Sequence, residues 1–236
     1  MPPQVIPIAQ APLNIAKSFL LFGERVVIVD TGPPGGERPV LAALAARGIL
    51  PRAVSLILLT HAHPDHVGGA AALRRATGAP IALDVRERSY VEGHARAPTR
   101  PTGIAGRLFL HTPLPRQRFE TFSPDLIIDA PLDLEPWGVD AMVYRSGGHT
   151  AGSLSVYVPG SGELLAADLL AGGIGIGGVA FHGRVIAPPF HEDAVRVHEA
   201  VSELLTLEAL RIIHVCHGGP LQPAAVRRWL ARGAGL

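Results

Sequence analysis

Thr60-His61-Ala62-His63-Pro64-Asp65-His66 is the stretch on which the reading of this chain turns. Three imidazoles and a carboxylate within six residues are hard to explain as packing, because buried polar groups need partners. Histidines two apart in extended backbone point to the same side, so His61 and His63 can bind one ion together. Pro64 then turns the chain, and Asp65 and His66 at the start of a helix can face a second ion nearby. The cluster comes directly after residues 54–59, an apolar run with turn signals on both sides. That is the mark of a strand buried on both faces.

A zinc centre needs more ligands than one short loop provides, so the rest of the chain has to supply them. Three candidates lie at the ends of predicted strands. His149 sits in Ser146-Gly147-Gly148-His149-Thr150-Ala151-Gly152-Ser153, where glycines let the backbone crowd a site. Asp168 ends the run 163–167 and would otherwise be an acid stranded among apolar residues. His217 follows Val215-Cys216 and precedes Gly218-Gly219-Pro220. Convergence of strand ends is how open α/β sites are built. The expected ligand set is therefore His61, His63, Asp65, His66, His149, Asp168 and His217, with Asp65 also able to move a proton. His94, His111, His198 and His214 have no motif context and read as structural or surface residues. His182 and His191 flank the Gly- and Pro-rich stretch after Asp168, which can roof the site, and both are candidates for substrate contact. Strand alternation turns Cys216 away from His217, so it reads as a buried structural thiol.

Farther out, 19–22 and 25–30 read as two strands joined at Gly23-Glu24. Residues 40–47 have helical spacing with Gly48 as the stop. A second helix is expected over 65–77, closed by Gly78, and a short strand over 80–83. Residues 93–122 look irregular; Arg96, Arg100, Arg107, Arg116 and Arg118 there are either solvated charges on a covering loop or contacts for an anion. Strands are expected at 139–145, 154–158, 163–167 and 212–215, and helices at 192–207 and 223–231. The uncharged stretch 164–181 reads as a strand end running into a loop, not as a membrane span. Strands in two groups, each followed by helices, predict an α/β four-layer αββα sandwich of two mixed β-sheets, with residues 1–236 as a single domain.

The 236 residues are 47% hydrophobic and 17% charged, a composition for burying a core. A formal net charge of +1 gives no global electrostatic case for nucleic acid or an anionic membrane. One cysteine excludes an intrachain disulfide. Residues 1–18 lack the basic start and apolar core of a signal peptide, so the expected location is the cytoplasm. The expected partner is a small-molecule substrate.

In order along the chain, H-x-H-x-D-H, the later G-H-T-x-G-S, the strand-end aspartate and the final histidine resemble the metallo-β-lactamase superfamily. Val29-Asp30-Thr31-Gly32 resembles its beginning. The resemblance implies one metal on His61, His63 and His149, and a second on Asp65, His66 and His217, with Asp168 bridging and Asp30 fixing a loop. Two divalent ions are implied, zinc first, with manganese or iron as alternatives. Two ions about 3.5–4 Å apart share a water and bring its pKa towards neutrality, giving a hydroxide that attacks a carbonyl or phosphorus centre. The chain looks like the compact glyoxalase-II-like hydrolases, which cleave thioesters. It differs in having little sequence after His217, where that enzyme carries a helical domain with glutathione-binding basic residues. The expectation is hydrolysis of a thioester, lactone or related acyl bond. The alternatives are a mononuclear-iron persulfide dioxygenase, a β-lactamase or a phosphodiesterase of the same fold.

Overall fold

The computed structural model describes residues 4–10, 16–174 and 180–233. Strands β1 (Gln4–Ala9), β2 (Lys17–Phe22) and β3 (Val26–Val29) form an antiparallel meander, and β4 (Val54–Leu58), β5 (Ile81–Asp84) and β6 (Leu126–Ile128) continue it in parallel. Together they make one mixed six-stranded sheet. The second sheet has the order β13-β10-β9-β8-β7, from β7 (Leu132–Asp133), β8 (Met142–Arg145), β9 (Leu154–Val158), β10 (Glu163–Leu165) and β13 (Ile212–His214). Its one parallel pair is β10 with β13. A separate two-stranded hairpin joins β11 (Ala171–Ile174) to β12 (Ala180–Ile186).

Alternation along the strands builds the layers. Phe19, Leu21, Val27, Val29, Leu56 and Leu58 point one way and meet Val143, Leu154, Val156 and Leu165 of the second sheet. Leu20, Ile28, Ile57 and Ile81 point the other way, onto helices α1 (Glu37–Ala45) and α3 (Ala70–Thr77). Tyr157, Leu164 and Ile213 face outward from the second sheet, onto α6 (Ala194–Leu204) and α7 (Pro223–Ala231). The result is the expected helix–sheet–sheet–helix sandwich. Among the described residues, no helix is long and apolar enough to cross a membrane.

Several element expectations need correcting. The helix expected over 65–77 is broken into α2 (Pro64–Val67) and α3. At the break, a Cβ on Gly68 would lie 2.3 Å from the backbone of Pro33 and Pro34, so the chain must pass this point as glycine. The span 93–122 follows α4 (Arg88–Val91) and is not wholly irregular, since it holds α5 (Gly103–Phe109). The run after Asp168 is not simply a loop, because it forms the β11–β12 hairpin; residues 175–179 lie outside the described residues. Of the span 1–18, residues 4–9 are β1; residues 1–3 and 11–15 lie outside the described residues. The strand expected over 163–167 stops at Leu165, and Asp168 sits in a single helical turn after it.

Candidate metal centre

Each candidate side chain comes from a place where the backbone leaves a sheet. β4 runs out into Leu59 and Thr60, and His63 is still extended (φ −71°, ψ 147°), so His61 and His63 share a face. Pro64 at the first helical position starts α2, which carries Asp65 and His66. His149 lies on the β8–β9 loop, where Gly148 has φ 90° and a Cβ would come within 2.7 Å of the Val197 backbone. The loop is thereby pressed onto the start of α6. Asp168 follows Ala167, which is held at φ 48°. His217 follows β13, with Lys17 Nζ donating to the carbonyl of Gly218 beside it. Burial lowers the pKa of this lone lysine.

The structure brings all seven candidates together in two groups. In the first, His63 Nδ1 lies 3.0 Å from His61 Nε2 and 3.0 Å from His149 Nε2. In the second, His217 Nε2 lies 3.0 Å from Asp168 Oδ2 and 3.4 Å from Asp65 Oδ2, and His66 Nε2 is 3.5 Å from Asp168 Oδ2. The same Asp168 oxygen is 3.7 Å from His149 Nε2, so it stands between the groups.

Outer contacts fix which nitrogen of each histidine carries a proton. The Thr60 hydroxyl donates to Asp30 Oδ2 (2.8 Å), so His61 Nδ1–H donates to Thr60 Oγ1 (3.0 Å) and the lone pair is left on Nε2. His63 donates from Nε2 to the carbonyl of Pro98, and His149 from Nδ1 to the carbonyl of Phe190, both at 2.9 Å. His66 donates from Nδ1 to Asp30 Oδ2 at 2.8 Å. Three imidazole lone pairs of the first group therefore converge with no proton between them. His66 Nε2 and Asp168 Oδ1 are buried without a hydrogen-bond partner. Both features destabilise the bare protein, and a cation removes both. The donor spacings bracket the edge of about 3.4 Å that a tetrahedron has around zinc with bonds of about 2.1 Å. The residues present thus fit divalent cations.

Electrostatics divide the groups in the same way. Burial, reinforced by neighbouring imidazoles, holds His61 well below its usual pKa; burial also holds His149 well below it and lowers His63. Burial would lower His217 too, but the Asp168 carboxylate overrides it and raises the group to about 9. For His66, burial is overridden by Asp168, Asp30 and Asp65. Burial pushes Asp168 up, and His217 and His66 outweigh it and hold the carboxyl well below the usual range.

Two supporting residues carry no signal in the sequence. Buried Glu87 accepts from the Ala62 N–H (2.9 Å) through one oxygen and from the Gly152 N–H (3.0 Å) through the other, tying the His61–His63 loop to the His149 loop. Fully buried Asp84 pairs with Arg145 Nε at 2.6 Å, linking β5 to the residue where the His149 loop begins. Asp30, at φ 58°, fixes Thr60 and His66 as a structural residue. Cys216 is buried, as expected, and its thiol donates to Asp30 Oδ2 at 3.6 Å, behind His66. His214 pairs with Glu163, His198 lies against Trp229, and His94 and His111 are exposed. His182 lies over Gly219, and His191 is buried against His149. The five arginines of 93–122 are exposed.

Two mixed sheets converge a histidine–carboxylate cluster at their strand ends, and together with the chain's relatives this makes it a metal-dependent hydrolase by class. The chain belongs to the metallo-β-lactamase superfamily, whose sequence signature matches residues 12–217. It is 28% identical to the probable metallo-hydrolase YqgX of Bacillus subtilis (strain 168), over 83% of this chain and 90% of that protein. It is 29% identical to a hydroxyacylglutathione hydrolase of Ectopseudomonas mendocina, over 83% of this chain but only 58% of that enzyme. A metallo-β-lactamase family protein from Thermus thermophilus superposes with a TM-score of 0.67 at 22% identity, covering 98% of this chain and 79% of that one. The B3 metallo-β-lactamase BLEG-1 gives 0.66 at 20% identity, covering 95% and 97%. These two likenesses are likenesses of fold.

Proposed function

We propose that the chain is a dinuclear hydrolase that cleaves a thioester, lactone or related acyl bond of a small molecule. The observation that carries this reading is the position of Asp168 Oδ2, within 3.7 Å of donors from both groups. His61, His63 and His149 would hold one ion and Asp65, His66 and His217 the other, with Asp168 shared and zinc favoured at both. When bound, such a pair supplies a water acidified towards neutrality and a Lewis-acidic contact for the acyl oxygen.

The chain's own residues do the rest. Asp168, buried and charged, fixes the spacing of the two groups. Asp65 is partly exposed, unlike Asp168, and can pass a proton between the centre and solvent. The second group is complete in this chain, which supports hydrolysis over a mononuclear-iron oxygenase that needs only two histidines and an aspartate. The likeness to a hydroxyacylglutathione hydrolase supports a thioester, and the near-neutral charge supports a small molecule over nucleic acid. The cytoplasm is the proposed location. Metal-loaded protein should be assayed on thioester, lactone, β-lactam and phosphodiester substrates. Turnover of the first two above the others is expected. Strong RNA or DNA cleavage that is lost in Asp168→Ala would overturn the substrate class.

A further inference from the structure

His191 lies outside every donor group of the centre, yet it is tied to the centre from all sides. Its own N–H donates to the carbonyl of Arg100 at 3.1 Å. The residue before it, Phe190, supplies the carbonyl that orients His149, and the residue after it, Glu192, donates its N–H to the carbonyl of His149 at 2.9 Å. The imidazole meets the His149 ring edge-on, with centroids 5.6 Å apart. These bonds hold the backbone of 190–192, and the ring contact then sets the buried imidazole against His149.

Its ring nitrogens set it apart. His61, His63, His66 and His149 each have an outer nitrogen anchored on a hydroxyl, a carbonyl or a carboxylate. His191 is 5% exposed, and both Nδ1 and Nε2 lack a hydrogen-bond partner. A buried imidazole left unpaired costs about 1–3 kcal/mol per group, so such a residue is kept where a ligand completes it. A neutral imidazole offers a ligand one N–H donor and one lone pair.

The flanking segments form one cover. Thr102 N–H donates to the carbonyl of Pro189 at 2.8 Å, Pro101 bridges Phe190, and the rings of Phe109 and Phe190 are 5.5 Å apart. The carbonyls orienting His63 (Pro98) and His149 (Phe190) both come from this cover. His191 thus sits where an apolar cover meets the first donor group, the place for a group that reads a substrate's polar atom.

We propose that His191 is a substrate-contacting residue, hydrogen-bonding a polar atom of the acyl substrate on the His149 side of the centre. The proposal rests on the acyl-hydrolase reading. It is tested with metal-loaded wild type, His191→Phe, which keeps the ring but removes its polar atoms, and His191→Gln, which restores a donor and an acceptor. Three quantities are measured: metal content, turnover of phenyl thioacetate, and calorimetric binding of (phenylthio)acetone, which keeps carbonyl and sulfur but has no scissile bond. His191→Phe should retain the wild-type metal content and lose about tenfold or more in both kcat/KM and ketone affinity, with part of each recovered in His191→Gln. Wild-type binding and turnover in His191→Phe would overturn the proposal, since the nitrogens would then serve only water or packing. Loss of metal in His191→Phe would overturn it too, by showing that the residue acts through His149. A wild-type protein that neither binds nor cleaves these probes would instead sink the acyl reading, and this inference with it.

Discussion

His61, His63 and His149 are held neutral in the ion-free protein, whereas His66 and His217 are charged beside Asp168. A ligand must shed its proton to bind metal. The histidines that take the first equivalent of zinc at pH 7 should therefore release almost no protons, and those that take the second about two, in addition to any from the shared water. Calorimetric titrations in buffers of different ionisation enthalpy measure this directly, and equal release in both steps would contradict the division. The sign for pH follows. His217 is raised to about 9, so affinity at the second group climbs as pH rises towards 9. The His217–Asp168 pair stabilises the ion-free protein fully below the ordinary histidine pKa of about 6.5, and that stabilisation is lost as pH passes about 9. Glu87 gives a second test at this scale. Glu87→Gln replaces an acceptor with a donor facing a backbone N–H, and should weaken the first group about 10–100-fold in chelator competition while sparing the second. The seven ligand candidates were legible because the chemistry is compressed into a few short motifs at strand ends. Glu87 and Asp84 were not, because Asp84-Val85-Arg86-Glu87-Arg88 has the composition of a solvated face and only tertiary packing turns two of its acids inward.

Among the elements, the strands that pack on both faces were the easiest to read. β4, β9 and β10 begin where their apolar runs begin, and α7 matches its expected span. β1 escaped because Pro7 interrupts its pattern; the strand is at the sheet edge, where a missing N–H is tolerated. The β11 strand is hard to see in the sequence because glycine is a poor strand former. Here Gly172 and Gly218 bring their backbones so close that a Cβ on Gly172 would lie 1.9 Å from the Gly219 carbonyl oxygen. The α2–α3 break is a matter of close approach as well. Gly68→Ala should cost about 1–3 kcal/mol, read from urea denaturation, because backbone rather than a flexible side chain must yield. Arg145→Ala should cost about 3 kcal/mol by leaving Asp84 buried and unpaired. An Arg145→Ala variant as stable as wild type would mean that the pair does not hold β5 to β8.

At the scale of the molecule, two sheets packed on each other bring ligand loops from distant parts of the chain to one place. The αββα order was legible because strands and helices come in two blocks. The pairing of the blocks was less so, since nothing local specifies that Thr60 O accepts from the Leu154 N–H, where the two sheets join beside the centre. Asp168 Oδ2 lies within 3.7 Å of donors from both halves and is proposed to bridge two ions. The most direct measurement is the metal content, by elemental analysis and native mass spectrometry, of wild type, Asp168→Ala and His217→Ala loaded in parallel with zinc. Two ions are expected in wild type, with depletion of both in Asp168→Ala and selective loss of the second ion in His217→Ala. Equal metal content in Asp168→Ala and wild type, or a wild type that holds a single ion under excess zinc, would contradict the proposed bridge.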